Sequence, residues 1–162
     1  MPFRVAILTV SDRGSRGERA EDLSAEAIRA ALAGFAYTVA AYQVVPDERT
    51  AIAARLRDWA DAGEIDVILT TGGTGLAPRD VTPEATGDMV ERLAPGLAEA
   101  MRAASLAKTP FAMLSRGIAG VRGRTLIVNL PGSPKGVRET LAVILPVLPH
   151  GLELLRDESP HE

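Results

Sequence analysis

Several short stretches of this chain set polar and charged side chains at spacings suited to an anionic ligand. In Thr70-Thr71-Gly72-Gly73-Thr74-Gly75, three glycines stand among hydroxyls. Glycine lets the backbone approach a ligand closely and turn its N–H groups toward an oxyanion, so this run suits a phosphate or carboxylate. It is not a Walker loop, and no G-x-G-x-x-G follows the first apolar segment. A tight turn between a strand and a helix accounts for the run equally well. Just beyond it, Pro78-Arg79-Asp80 places a cation and a carboxylate on one loop, ahead of a helix start in Thr82-Pro83-Glu84. Thr82 reads as an N-cap with proline at the first helical position. Asp80 is a solvated loop carboxylate or a residue that contacts a metal or the ligand, and the glycine run beside it favours the latter.

Asp47, in Pro46-Asp47-Glu48-Arg49, reads locally as an N-cap for the helix that contains Ile52 and Leu56. Its position after an apolar strand gives it a second possible role beside Asp80. Asn129-Leu130-Pro131-Gly132-Ser133-Pro134-Lys135-Gly136 leaves a strand and enters a helix, whose first-turn amides are free to bind an anion. Lys135 in that turn opposes the helix dipole, a conflict that a bound anion would relieve; an exposed lysine is the plainer alternative. Ser115-Arg116-Gly117 is a weaker hint, and His150 reads as structural or solvated. No serine–histidine signature is present.

The elements that must position these residues follow from hydrophobic pattern. Phe3 to Val10, Tyr37 to Val45 and Ile65 to Thr71 read as strands. Between them, Leu23, Ala27, Ile28, Ala31 and Leu32 share one helical face, and Ile52, Leu56, Trp59 and Ala60 another. This β-α-β-α-β alternation predicts parallel strands, with ligand loops beyond their carboxyl ends. An Ala-rich helical region is expected to run to about Lys108 with a break at Pro95-Gly96. A strand pair follows around Arg122-Gly123, then a helix opened by Ser133-Pro134 and interrupted by Pro146 and Pro149.

Composition removes several classes. The 162 residues, 46% hydrophobic and 24% charged, suit one domain, expected over residues 1–157 with a mobile tail at 158–162. A net charge of -3 without a basic stripe argues against nucleic acid as partner. The absence of cysteine and the presence of only two histidines exclude thiolate and histidine-cluster metal sites, so a metal here must be held by oxygen. The apolar run Val5 to Val10 is too short for a signal segment or membrane span, and a cytoplasmic location is expected.

Taken together, Thr9-Val10-Ser11-Asp12, Val45-Pro46-Asp47-Glu48, Thr70 to Gly75, Pro78 to Ala85, Leu114-Ser115-Arg116 and Asn129 to Ser133 resemble the molybdopterin adenylyltransferases, which include bacterial Mog-type proteins and the amino-terminal domain of gephyrin. The resemblance covers nearly the whole chain. It implies a three-layer α/β/α molybdopterin-binding fold with a mostly parallel sheet, a homotrimer, and a Mg²⁺-dependent transfer of AMP from ATP to molybdopterin with release of pyrophosphate. It places the essential aspartates on Asp47 and Asp80, which are cast as metal-holding groups. Pterin- and nucleotide-binding positions fall on Gly72, Gly73, Thr74 and Gly75, on Ser115, and on Pro131, Gly132 and Ser133. Substrate contacts are also expected from Ser11, Asp12 and Thr71, and, on chemical grounds, from Arg79 and Lys135. A downstream molybdenum-inserting enzyme is a possible partner. The alternatives are a non-catalytic pterin-binding or scaffold protein of the same fold, or another nucleotide- or phosphosugar-binding α/β enzyme sharing only the glycine loop.

Overall fold

A computed structural model describes residues 1–157; the tail expected at 158–162 lies outside the described residues. The chain runs β1 Phe3–Val10, α1 Asp12–Ser15, α2 Leu23–Leu32, β2 Tyr37–Val45, α3 Arg49–Asp61, β3 Val67–Thr71, α4 Thr82–Met89, β4 Arg92–Leu93, α5 Pro95–Leu106, a 3₁₀ turn at Pro110–Leu114, β5 Ala119–Arg122, β6 Thr125–Leu130, α6 Pro134–Ile144 and α7 Leu148–Arg156. The strands form one sheet in the order β2-β1-β3-β6-β5-β4. β2, β1, β3 and β6 are mutually parallel, while β5 runs antiparallel to β6 and to β4.

The middles of the central strands, Val5 to Leu8, Val67 to Leu69 and Leu126 to Val128, are apolar because both of their faces are covered. On one face Val5, Ile7, Val67, Leu69 and Val128 pack against Ile28 and Leu32 of α2, Met101 of α5, Leu141 and Ile144 of α6 and Leu152 of α7. On the other, Ala6, Leu8, Ile68 and Ile127 pack against Ile52 and Leu56 of α3 and Ala85 of α4. The expected three-layer α/β/α architecture is therefore present. None of the described helices is long and apolar enough to cross a membrane.

Several local expectations are corrected. β3 begins at Val67, two residues later than expected, although Ile65 is buried. The buried stripe of α2 runs through Ser24, Ile28 and Leu32; Leu23, about 100° around the helix from Ser24, is exposed. The break near Pro95 is made by β4, and Pro95 then opens α5. Pro146 separates α6 from α7, whereas Pro149 sits in the first turn of α7, where its missing N–H costs nothing. The strand pair turns at Gly123, as expected.

α7 is fixed to the amino-terminal end of the sheet by Arg156. Its guanidinium bonds both oxygens of Asp66 at 2.7 and 2.8 Å, reaches the Pro2 carbonyl at 3.2 Å and lies 4.5 Å from the centre of the Phe3 ring. Asp66 also accepts from the Arg4 amide at 2.7 Å. Burial raises the Asp66 carboxyl, but Arg156 and the Arg4 amide outweigh burial and hold it below its ordinary value.

Candidate active site

The loops that follow β1, β2, β3 and β6 all leave from the carboxyl ends of parallel strands, so they meet along one edge of the sheet. The glycine run leaves β3 with Gly72 and Gly73 at positive φ, +100° and +70°. A Cβ on Gly73 would collide with the Thr82 hydroxyl and lie 3.3 Å from Oδ1 of Asp47. Both the backbone angle and the space therefore require glycine there. One on Gly75 would lie 2.9 Å from Oδ2 of Asp80. The absent side chains bring both carboxylates against the same loop.

Thr82 is not the cap of α4. Val81 holds that position, and the Thr82 hydroxyl, fully buried, donates to the Gly72 carbonyl at 2.9 Å, while its amide donates to Gly73 O at 3.1 Å. Asp47 is not a cap either. Glu48 precedes α3 and makes no side-chain cap bond. The Asp47 carboxylate instead accepts from the Asp12 amide at 2.9 Å, and the Asp47 amide donates to the Asp12 carboxylate at 2.9 Å. In both cases a partner distant in sequence outcompeted the local helix terminus.

Asp12 also receives a two-pronged contact from Arg79, at 3.0 and 2.8 Å. These bonds, with the Asp47 amide, pull the Asp12 carboxyl down to about 2. Asp47 moves the opposite way: burial raises it, the charges of Asp12 and Asp80 raise it further, and the Asp12 amide and Arg79 offset only part. Asp80 accepts from the Ala77 amide at 3.0 Å. Ser11 accepts from the Gly14 amide at 3.0 Å and caps the short α1, a helix that the sequence reading did not foresee.

Across Gly72 the second group begins. Thr71 donates to the Pro131 carbonyl at 2.6 Å, Gly72 N reaches Leu130 O at 3.3 Å, and a Cβ on Gly132 would lie 3.3 Å from the Gly72 Cα. Beyond the Pro131 turn opens a cavity of about 360 Å³, of ordinary size for a small-molecule site. Ser115, Pro131, Ser133 and Lys135 line it, together with Arg102 and Lys108, which sequence reasoning missed. Ser133 caps α6 by accepting from Gly136 N at 3.0 Å, as expected. Arg102 bonds Gly117 O at 2.7 Å, Lys108 lies 3.7 Å from Glu139, and Lys135 makes no ion pair among the described residues. The cavity wall thus carries three cations to the one carboxylate of Glu139.

Arg116, only a weak hint in the sequence, is bonded on every side. Its Nε bonds Gly75 O at 2.8 Å, Nη2 bonds Asp80 O at 2.7 Å, and Nη1 meets both oxygens of Glu84 at 2.9 and 2.7 Å. Its amide donates to Thr74 O at 2.8 Å.

Among the described residues no cluster of three or more acidic, histidine or cysteine side chains forms a complete metal cage. Mg²⁺ does not need one, since it is commonly held by one or two carboxylates and substrate phosphates. Asp47 fits that role: it is a half-buried carboxylate crowded by two others, and a divalent cation would relieve the repulsion.

A glycine loop backed by two carboxylates, beside a cavity with a cationic wall, defines an α/β protein equipped to hold phosphorylated ligands. Residues 6–150 match the family described as a probable molybdopterin binding domain, and the chain belongs to that family. It is 42% identical over 155 residues to a molybdopterin adenylyltransferase of Helicobacter pylori, covering 94% of this chain and 88% of that protein. It is 45% identical to the molybdenum cofactor synthesis protein cinnamon of Drosophila melanogaster over 94% of this chain, but spans only 25% of that longer protein. The crystal structure of the molybdopterin biosynthesis enzyme MoaB from Thermus thermophilus superposes with a TM-score of 0.90 at 62% identity, covering 99% of each chain.

Proposed function

We propose that this chain is a molybdopterin adenylyltransferase of molybdenum cofactor biosynthesis, moving AMP from ATP to the terminal phosphate of molybdopterin and releasing pyrophosphate. The observation that carries this reading is the placement of Asp47 and Asp80 against one glycine loop, next to the cavity that Ser115, Ser133 and Lys135 line. In such a transfer a pterin phosphate oxygen attacks the α-phosphorus of ATP. The new P–O bond forms as the bond to the bridging oxygen breaks, and pyrophosphate departs with that electron pair. The attacking phosphate is mostly dianionic near neutral pH, its second pKa being about 6, so no strong general base is required.

The barrier is anion meeting anion, and the chain's contribution is placement and positive potential. Glycine-loop amides and the Lys135 amide in the first turn of α6, where Pro134 has no N–H and the Gly136 amide is taken by Ser133, would receive phosphate oxygens, and the Lys135 side chain adds charge beside them. Arg79, exchanging Asp12 for a nucleotide phosphate, would supply more. Asp47 and Asp80 would hold Mg²⁺, which when bound neutralises phosphate oxygens. We place the reaction in the cytoplasm, in a homotrimer, with the adenylated product passing to a molybdenum-inserting enzyme.

The test is incubation with molybdopterin, ATP and Mg²⁺, followed by assay for pyrophosphate and adenylated pterin. Both products are expected in equal amounts. Tight pterin binding without pyrophosphate would instead identify a binding or scaffold protein.

A further inference from the structure

We propose that Arg116 is a positioning residue for this transfer, fixing the spacing between the Thr74–Gly75 backbone and Asp80. The inference rests on the adenylyltransferase reading above. Arg116 belongs to the segment before β5, yet it bonds the carbonyls of Gly75 and Asp80 and the carboxylate of Glu84 on α4. All three guanidinium nitrogens are engaged at 2.7–2.9 Å, and its own amide holds Thr74 O. A charge paired with Glu84 and donors committed to carbonyls leave it poorly placed to bind phosphate itself, and it does not line the cavity.

What it controls is geometry. The Asp80 carbonyl is held by Arg116 and the Asp80 carboxylate by the Ala77 amide, so the turn is fixed at both ends. The carboxylate comes so close to Gly75 that a single added carbon there would lie 2.9 Å away. A shift of Arg116 therefore alters the position of Asp80 against the loop amides. Lysine cannot substitute, because an ammonium presents its donors from one point and cannot span carbonyls in two directions while meeting Glu84.

The test is a double-mutant cycle of Arg116→Lys with Asp80→Asn, reading kcat, the KM for ATP and for molybdopterin, and amide exchange at Gly75 to Asp80. Arg116→Lys is expected to lower kcat on the order of 100-fold, the scale of a 1 Å misplacement, with little change in pterin KM. In the Asp80→Asn background the same change should alter the residual rate by less than about twofold, because its effect passes through Asp80. Equal losses in both backgrounds, or an unchanged kcat, would overturn the proposal. Should Arg116→Lys fail to fold, Glu84→Gln loosens the same clamp and is expected to show the same dependence on Asp80; its absence there would be equally decisive. Wild-type protein that releases no pyrophosphate would sink the adenylyl reading alone. Exchange then still decides: protection lost between Gly75 and Asp80 but kept in β1 and β6 supports the clamp, and unchanged protection refutes it.

Discussion

Asp12 and Asp47 exchange hydrogen bonds in both directions, each carboxylate accepting from the other's backbone amide at 2.9 Å. This pairing locks the loop after β1 to the loop after β2 and presses two carboxylates together. Arg79 holds the Asp12 carboxyl down, whereas burial and the charges of Asp12 and Asp80 push Asp47 up, so the two acids titrate in opposite directions from their ordinary values.

For Asp47 the consequence is a trade between stability and activity. A carboxyl whose folded pKa is raised is less easily ionised in the folded chain than in the unfolded one, so at pH 7 its charge disfavours folding. Asp47→Asn removes that charge and keeps an oxygen for the Asp12 amide. Without metal, its thermal midpoint at pH 7 should equal or exceed that of the parent. Adenylation should fall at least about 100-fold in this variant and in Asp80→Asn, with pterin binding retained. Near-normal turnover at saturating Mg²⁺ would remove the metal-carboxylate mechanism, and lost pterin binding would place the carboxylates in the pterin pocket.

Arg79→Ala should release Asp12. Its carboxyl, held at about 2, is expected to move up toward the ordinary 3.8 and to stop short of it because the Asp47 amide still donates. Carbon-detected NMR titration of the side chain reads this directly; a midpoint that stays near 2 would show that Arg79 is not the dominant cause.

Lys135→Ala should weaken binding of both ATP and the pterin phosphate while leaving the melting temperature within about 2 °C, since the side chain is exposed and unpaired among the described residues. Calorimetric titration with each ligand checks it. Unchanged affinities would mean that the lysine merely faces solvent.

Sedimentation velocity at micromolar concentration is expected to give a trimer. Phe111, Met113 and Leu114, all exposed on the 3₁₀ turn, are apolar surface that subunit contact could cover. A single monomeric species across the concentration range would overturn this.

The Asp66–Arg156 pair makes a pH-dependent claim. Because the folded pKa of Asp66 is depressed, its contribution is fully present above the unfolded value near 3.8 and is lost as pH falls below it. Both side chains are largely buried, so Asp66→Asn should cost about 1–3 kcal/mol at pH 7. The gap between variant and parent should close as pH falls through and below about 4. Urea unfolding at pH 7 and at low pH measures both; a gap independent of pH would refute the assignment.

The strands were readable because parallel-sheet burial makes Val5, Ala6, Ile7 and Leu8 all apolar, a pattern visible without knowing the partners. The cap at Ser133 was readable because its bond spans three residues. Asp47 and Thr82 were misread as caps for the complementary reason: their partners lie 35 and 10 residues away, and a local motif says nothing about such competition. Arg116 was weighed only weakly, since its side-chain partners are 32 to 41 residues distant and its neighbours, Ser115 and Gly117, form no periodic pattern. The convergence of Asp47 and Asp80 was inferred only from both following parallel strands; their contact with opposite ends of a glycine loop required three dimensions.

The reach of Arg156 to the Pro2 carbonyl brings the two ends of the described chain side by side at the amino-terminal edge of the sheet, across from the glycine loop and the cavity. A polypeptide fused at either end would emerge away from the ligand loops, so this fold can be carried as a module at the head, tail or interior of a longer chain without obstructing them. Joining the ends through a short linker and reopening the chain at the Gly123 turn should give a circular permutant in which every loop around Asp47 and Asp80 is still continuous.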